Sequence, residues 1–215
     1  MKLVQITKLA TVALAIFVGG FQANSVVAQE KHSHAEAMKK AELKISETLK
    51  SLSPEDQKLV AAQRFCPMMT YSRLGAMGAP VKLTIAGKPV FVCCESCVED
   101  AVKGGKDTLI KAKELTEASA VLAKLPAEDR AAAEAQKYCA VQNKSLLGSM
   151  GAPVKLDLDG TQVLLCCKGC TGKAQANPEA TLAKVEELKN AGVQEEHGDH
   201  EHGDHKHEAK ANKKK

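Results

Sequence analysis

The chain is written twice. When residue n is set beside residue n+73, "LGAMGAPVKL" (74–83) falls on "LGSMGAPVKL" (147–156) with nine of ten positions identical, and "QRFC" (63–66) falls on "QKYC" (136–139). Gly87 likewise falls on Gly160. Every cysteine obeys the same offset: Cys66 on Cys139, Cys93 on Cys166, Cys94 on Cys167 and Cys97 on Cys170. An internal repeat constrains architecture before any single element is assigned, because each copy must be one small structural unit. The expected fold is therefore α+β: two tandem modules, each a helix, a cysteine loop, a β-hairpin and a helix.

The local signals agree with that order. In "SPEDQKLVAAQRF", Ser53 is placed as N-cap, Pro54 at the first helical position, and Glu55 and Asp56 oppose the helix dipole. "PAEDRAAAEAQKY" is equally helical in composition. The glycines and proline of "GAMGAP" and "GSMGAP" break regular structure. Apolar alternation at Val81, Leu83, Ile85 and at Val154, Leu156, Leu158 then predicts strands, with Asp159-Gly160 as a hairpin turn. The closing segments return to helix, broken at Gly104-Gly105 and Asn177-Pro178. The expected boundaries are a signal peptide (1–28), an N-terminal helix or spacer (29–52), module one (53–112), a helical connector (113–125), module two (126–190) and a disordered His/Lys-rich tail (191–215).

The first 28 residues decide what cysteine means here. Lys2 and Lys8 precede an apolar run from Leu9 to Phe21, and Val26-Val27-Ala28 supplies small residues for cleavage. This reads as a secretory signal peptide. The run is 13 residues, short of the roughly 17–25 that span a bilayer, so the expected product is periplasmic or secreted with no stable membrane anchor. Cleavage lowers the formal charge from +4 to +2, which argues against nucleic acid as a partner. The mature chain keeps only Phe65, Phe91, Tyr71 and Tyr138 as aromatics. A core so poor in large side chains needs staples, and disulfides or metal ions are the available kinds.

Each module spaces one cysteine, 26 intervening residues, then C-C-x-x-C. Four thiols would fill a tetrahedral shell at a metal–sulfur distance of about 2.3 Å. Adjacent strand residues point to opposite faces, so Cys93 and Cys94 can share an ion only if the strand has ended before them. Cys66, Cys93 and Cys97 are thus the expected core ligands with Cys94 as fourth, and correspondingly Cys139, Cys166 and Cys170 with Cys167. Three rivals stand beside this reading. An exported, even-numbered set suits a disulfide framework. Cys94-x-x-Cys97 at a helix start would suit a thiol–disulfide oxidoreductase, although the modules lack a βαβ pattern. The ions or disulfides could also be purely structural in a protein-interaction module.

"FCP" at 65–67, the hairpin, "VFVCCESC" at 90–97 and the following helix resemble YHS and TRASH-like domains, small treble-clef-type modules associated with heavy-metal sensing and transport. The resemblance covers roughly residues 64–110 and 137–183. It implies one early cysteine and a C-x-x-x-C pair at the strand-to-helix junction, here Cys66, Cys93 and Cys97, and Cys139, Cys166 and Cys170. The chain departs from the family in its longer first spacing, in Ala140 for Pro67, and in the extra Cys94 and Cys167.

The tail "HGDHEHGDHKH" holds five of the seven histidines, His197, His200, His202, His205 and His207. Imidazoles in a flexible polar segment capture zinc, nickel or copper(II). Met68 and Met69 follow Cys66 in the first copy only; thioethers favour copper(I), but packing is the ordinary role of methionine. Met77 and Met150 read as core or loop anchors. The expected cargo is zinc or copper ions. The protein is expected not to be an enzyme, and a metal transporter or another protein is left open as partner.

Overall fold

The structure is a computed structural model that describes residues 39–197. The expected signal peptide and the tail histidines beyond His197 lie outside the described residues. Helix α1 spans residues 39–49, and residues 41–197 belong to one compact unit. No helix among the described residues is long and apolar enough to cross a membrane.

Helix α2 (Pro54–Gln63) starts where the sequence places it: the Ser53 side chain accepts the Asp56 N–H at 3.1 Å. It ends at Arg64, whose φ of 65° turns the chain out of the helix. The loop that follows is closed by an isolated bridge between Phe65 and Arg73. Strands β1 (Val81–Ile85) and β2 (Lys88–Val92) pair antiparallel with Val81 opposite Val92 and Ile85 opposite Lys88. Lys82 and Thr84 face solvent while Ile85, Val90, Phe91 and Val92 are buried. A 3-10 turn at Glu95–Cys97 leads into α3 (Val98–Gly104), and after Gly105 the chain continues as α4 (Lys106–Leu122).

The second half repeats each step. Helix α5 (Ala127–Gln136) ends at Lys137 with φ 61°, Tyr138 bridges to Leu146, and β3 (Val154–Leu158) pairs with β4 (Thr161–Leu165). A 3-10 turn at Lys168–Cys170, α6 (Thr171–Ala176) and α7 (Pro178–His197) complete it. Asp159 and Gly160 both have positive φ, 52° and 80°, as a two-residue hairpin turn requires. In the first copy Ala86 carries φ 47° in the same place. The mixed α+β class follows: seven helices and two separate two-stranded sheets among the described residues.

Two features differ from the sequence reading. The connector expected at 113–125 is not a separate piece, because α4 runs unbroken from Lys106 to Leu122. Likewise α7 reaches His197, so residues 191–197 are helical where the disordered tail was expected to begin. "AGVQEE" at 191–196 is rich enough in helix formers to extend a helix already nucleated and packed.

The duplication also reaches further than the matched letters. A Cβ on Gly75 would lie 3.1 Å from Ile45 Cγ2 and from Leu49 Cδ2; on Gly148 it would lie 2.8 Å from the Ala118 carbonyl and 3.2 Å from Leu122 Cγ. Ile45 and Ala118, like Leu49 and Leu122, are 73 apart. Helix α1 therefore does for the first glycine loop what the second half of α4 does for the next. Each half has its own apolar core, built on Val60, Leu74, Phe91 and Val92 in one and on Leu147, Val163, Leu164 and Leu165 in the other. Of the four aromatics among the described residues, Phe91 lies in the core of the first half. Phe65 and Tyr138 meet Leu115, Ala118 and Leu146 at the seam between halves, where the Tyr71 and Tyr138 rings stand edge to face at 6.1 Å.

Candidate metal centre

The cysteine loop is fastened to the hairpin by one buried amide. Gln63, the last residue of α2, donates from Nε2 to the Phe65 carbonyl at 3.0 Å and to the Phe91 carbonyl at 2.6 Å, while its Oε1 accepts the Phe91 N–H at 3.0 Å. Gln136 does the same with Tyr138 at 2.9 Å and with Leu164 at 2.6 and 3.1 Å. Unpaired polar groups at this depth would be costly, so these bonds fix the distance between the first cysteine and the strand that carries the others. Sequence reasoning quoted both glutamines and gave them no role. Their signal was a polar residue shared by both copies beside an apolar helix end.

Beyond the strand ends the sulfurs converge. Strand β2 stops at Val92 and β4 at Leu165, so the paired cysteines escape the alternation that would send them to opposite faces. The Sγ atoms of Cys66, Cys93 and Cys97 all lie within 4.8 Å of one another, as do those of Cys139, Cys166 and Cys170. All six are buried, Cys66 and Cys139 completely. Cys93 and Cys97 are 3.7 Å apart at sulfur, and so are Cys166 and Cys170. Sulfurs on a tetrahedron of metal–sulfur length about 2.3 Å are separated by about 3.8 Å. A disulfide bond is about 2.05 Å, and all eight cysteines are free thiols. Both triads could hold a metal ion.

Cys94 and Cys167 stand at the half-buried rim. Cys94 Sγ lies 3.7 Å from Cys93 Sγ and 3.7 Å from Cys97 Sγ, and 3.0 Å from Ser96 Oγ. Cys167 is held by the Gly169 backbone N–H and also interacts with Cys166 and Cys170. Met69 is half-buried with Sδ 3.8 Å from Cys93 Sγ. Met68 is exposed, its Sδ 4.0 Å from Thr108 Oγ1, whose proton goes to the Ala101 carbonyl at 2.8 Å. Met77 and Met150 are exposed, so of the core and loop-anchoring roles read for them the core one falls; each sits between glycines of positive φ, and Met77 Sδ lies 3.9 Å from Ser72 Oγ within its loop. His197 closes α7, and His200, His202, His205 and His207 are beyond the described residues.

The thiols divide by charge. A hydrogen bond from Cys93, helped by the backbone N–H groups of Met69, Cys93 and Met68, pulls Cys66 down to about 6 against the effect of burial. The same hydrogen bond and burial push Cys93 far up; burial and the nearby Cys66 charge push Cys97 up to about 12. In the second cluster burial opposes ionisation of Cys139, but the N–H groups of Cys166, Gln142 and Val141 outweigh it and lower its pKa. Burial raises Cys166 and Cys170, and hydrogen bonding to Cys139 adds to both. In each cluster one thiol is thus eased toward ionisation while the other two resist a negative charge. A bound cation removes that resistance by replacing protons with positive charge.

Comparison with protein-family models, with curated proteins and with solved structures finds no match to this chain.

Proposed function

We propose that this chain is an exported, non-enzymatic metal-binding protein that buffers, sequesters or delivers zinc or copper ions. The observation that carries the reading is the convergence, twice, of three buried sulfurs from segments 27 and 31 residues apart in sequence, at spacings suited to a shared ion. Cys94 and Cys167 stand ready as fourth donors at the rim. In this reading the modules are of the YHS and TRASH-like kind, the signal peptide directs export, and the tail histidines collect ions loosely near the clusters.

Burial of the triads inside the apolar cores favours a second reading, in which the ions only hold the fold and the protein binds another protein. The two are separated by titrating zinc and copper(I) into the full chain under native mass spectrometry. Handling predicts one exchangeable ion per cluster and further, weaker ions that disappear when 197–207 is deleted. Inert ions and no effect of that deletion would leave scaffolding in its place, and failure to bind any ion would end both.

A further inference from the structure

The two clusters share a backbone but not a lining. Residue 69 and its counterpart 142 each direct a backbone N–H at the first cysteine: Met69 N–H supports Cys66, and Gln142 N–H lies 3.4 Å from Cys139 Sγ. The side chains diverge. Met69 folds inward onto the core with its thioether 3.8 Å from Cys93 Sγ, whereas Gln142 is exposed. That sulfur–sulfur distance equals the edge of a tetrahedral sulfur shell, about 3.8 Å. A thioether is neutral and soft, a donor that favours copper(I); a cluster of thiolates alone suits zinc.

Resting on the metal-binding reading, we propose that the clusters are selective for different ions. The Met69 thioether makes the first cluster a copper(I) site, and the second, lacking it, keeps zinc. Cys94 and Met69 flank Cys93 as alternative fourth donors, the charged one at the rim and the neutral one inside. Met68 takes no part, since its exposed side chain places its sulfur beside Thr108.

The test uses the full chain, reduced and free of oxygen, in two forms with one cluster disabled: Cys66→Ser with Cys93→Ser, and Cys139→Ser with Cys166→Ser. Copper(I) is competed against a chromophoric chelator and zinc against a fluorescent one. The chain keeping the first cluster should hold copper(I) about ten-fold or more tightly than the chain keeping the second. Met69→Leu should abolish that advantage and leave zinc affinity unchanged; Met68→Leu should alter neither.

A second measurement does not depend on those variants folding. In the otherwise unaltered chain labelled with carbon-13 at the methionine methyls, copper(I) should shift the Met69 resonance and zinc should not. Equal copper(I) affinity in the two clusters, an unaffected Met69→Leu chain, or a Met69 methyl silent to copper(I) would overturn the proposal while leaving metal binding intact. If neither cluster takes either ion, the metal-binding reading fails and this one with it.

Discussion

The first half fastens its cysteine loop with Gln63 and the second with Gln136, through bonds of 3.0, 2.6 and 3.0 Å in one and 2.9, 2.6 and 3.1 Å in the other. Around this common frame the partners change. Ser96 places a hydroxyl 3.0 Å from Cys94 where the second half has Gly169; Met69 faces Cys93 where the second half exposes Gln142. Ser53 caps α2, while Pro126 precedes α5 without a side-chain cap. Groups that set the distance between sulfurs coincide, and groups at the edge of the sulfur cluster do not. One scaffold can thus present two different sets of donors without altering its fold.

The most severe way to break the comparison is to remove the first ligand from one half at a time. Cys66→Ser and Cys139→Ser should each lower the bound ions by one and leave the other cluster filled, as read by native mass spectrometry. Apparent binding energies of structural zinc sites are about 10–16 kcal/mol, so the altered half should lose its metal-dependent gain in melting temperature. Loss of both ions from either variant would show that the halves are a single site. Gln63→Leu and Gln136→Leu come next. Each leaves a buried N–H and two carbonyls without their partner, at about 1–3 kcal/mol for each group left unsatisfied. The two should cost about the same, near 3 kcal/mol, in urea denaturation of the full chain; a large inequality would mean that the shared geometry hides unequal roles.

Acid sharpens the comparison in both halves together. Cys66 at about 6 is largely ionised at neutral pH, whereas Cys93 is raised far above it and Cys97 to about 12, so both still hold protons. An ion that binds all three displaces about two protons, and its apparent affinity should rise about 100-fold per pH unit. The window lies between about 6, where Cys66 ionises, and about 12, where Cys97 does. The sign is fixed because protons and the cation compete for the same sulfurs. Cys139 is lowered and Cys166 and Cys170 raised, so affinity at the second cluster should rise with pH in the same direction. A flat profile in chelator competition would mean that the thiols are already ionised without metal.

Much of this was legible in the sequence because it resides in short-range chemistry. The Ser53 cap, the Asp159-Gly160 turn and the breaks at Gly105 and Asn177 are local signals, and the structure has each of them. The repeat then paired the cysteines across 26 residues without any contact being known. What escaped reading is long-range or compensated. Ile45 corresponds to Ala118, a large residue to a small one, so the kinship of α1 with the end of α4 shows only where both meet a loop glycine. Gln63 and Gln136 act across 28 residues through backbone atoms, which no pattern of side chains reports. Met69 was separable from Met68 only once one sulfur faced Cys93 and the other Thr108.

The smallest expected effect lies at the helix caps. Ser53 and Pro126 have nearly the same backbone, φ −59° and ψ 152° against φ −51° and ψ 148°, so a serine fits the second site without strain. Ser53→Ala removes the bond to the Asp56 N–H and should cost about 1 kcal/mol. Pro126→Ser should restore the same bond, to the N–H of Asp129, and gain about as much. It also frees the unfolded chain that proline restrained, which takes back about 0.4–1 kcal/mol. The net change at the second cap is then about 0.5 kcal/mol or less, against a full loss at the first. Paired urea curves of the two variants test this asymmetry. A loss at Ser53 no larger than the change at Pro126 would mean that α2 is held by its packing on α4 and the hairpin, and that its cap contributes nothing the second half lacks.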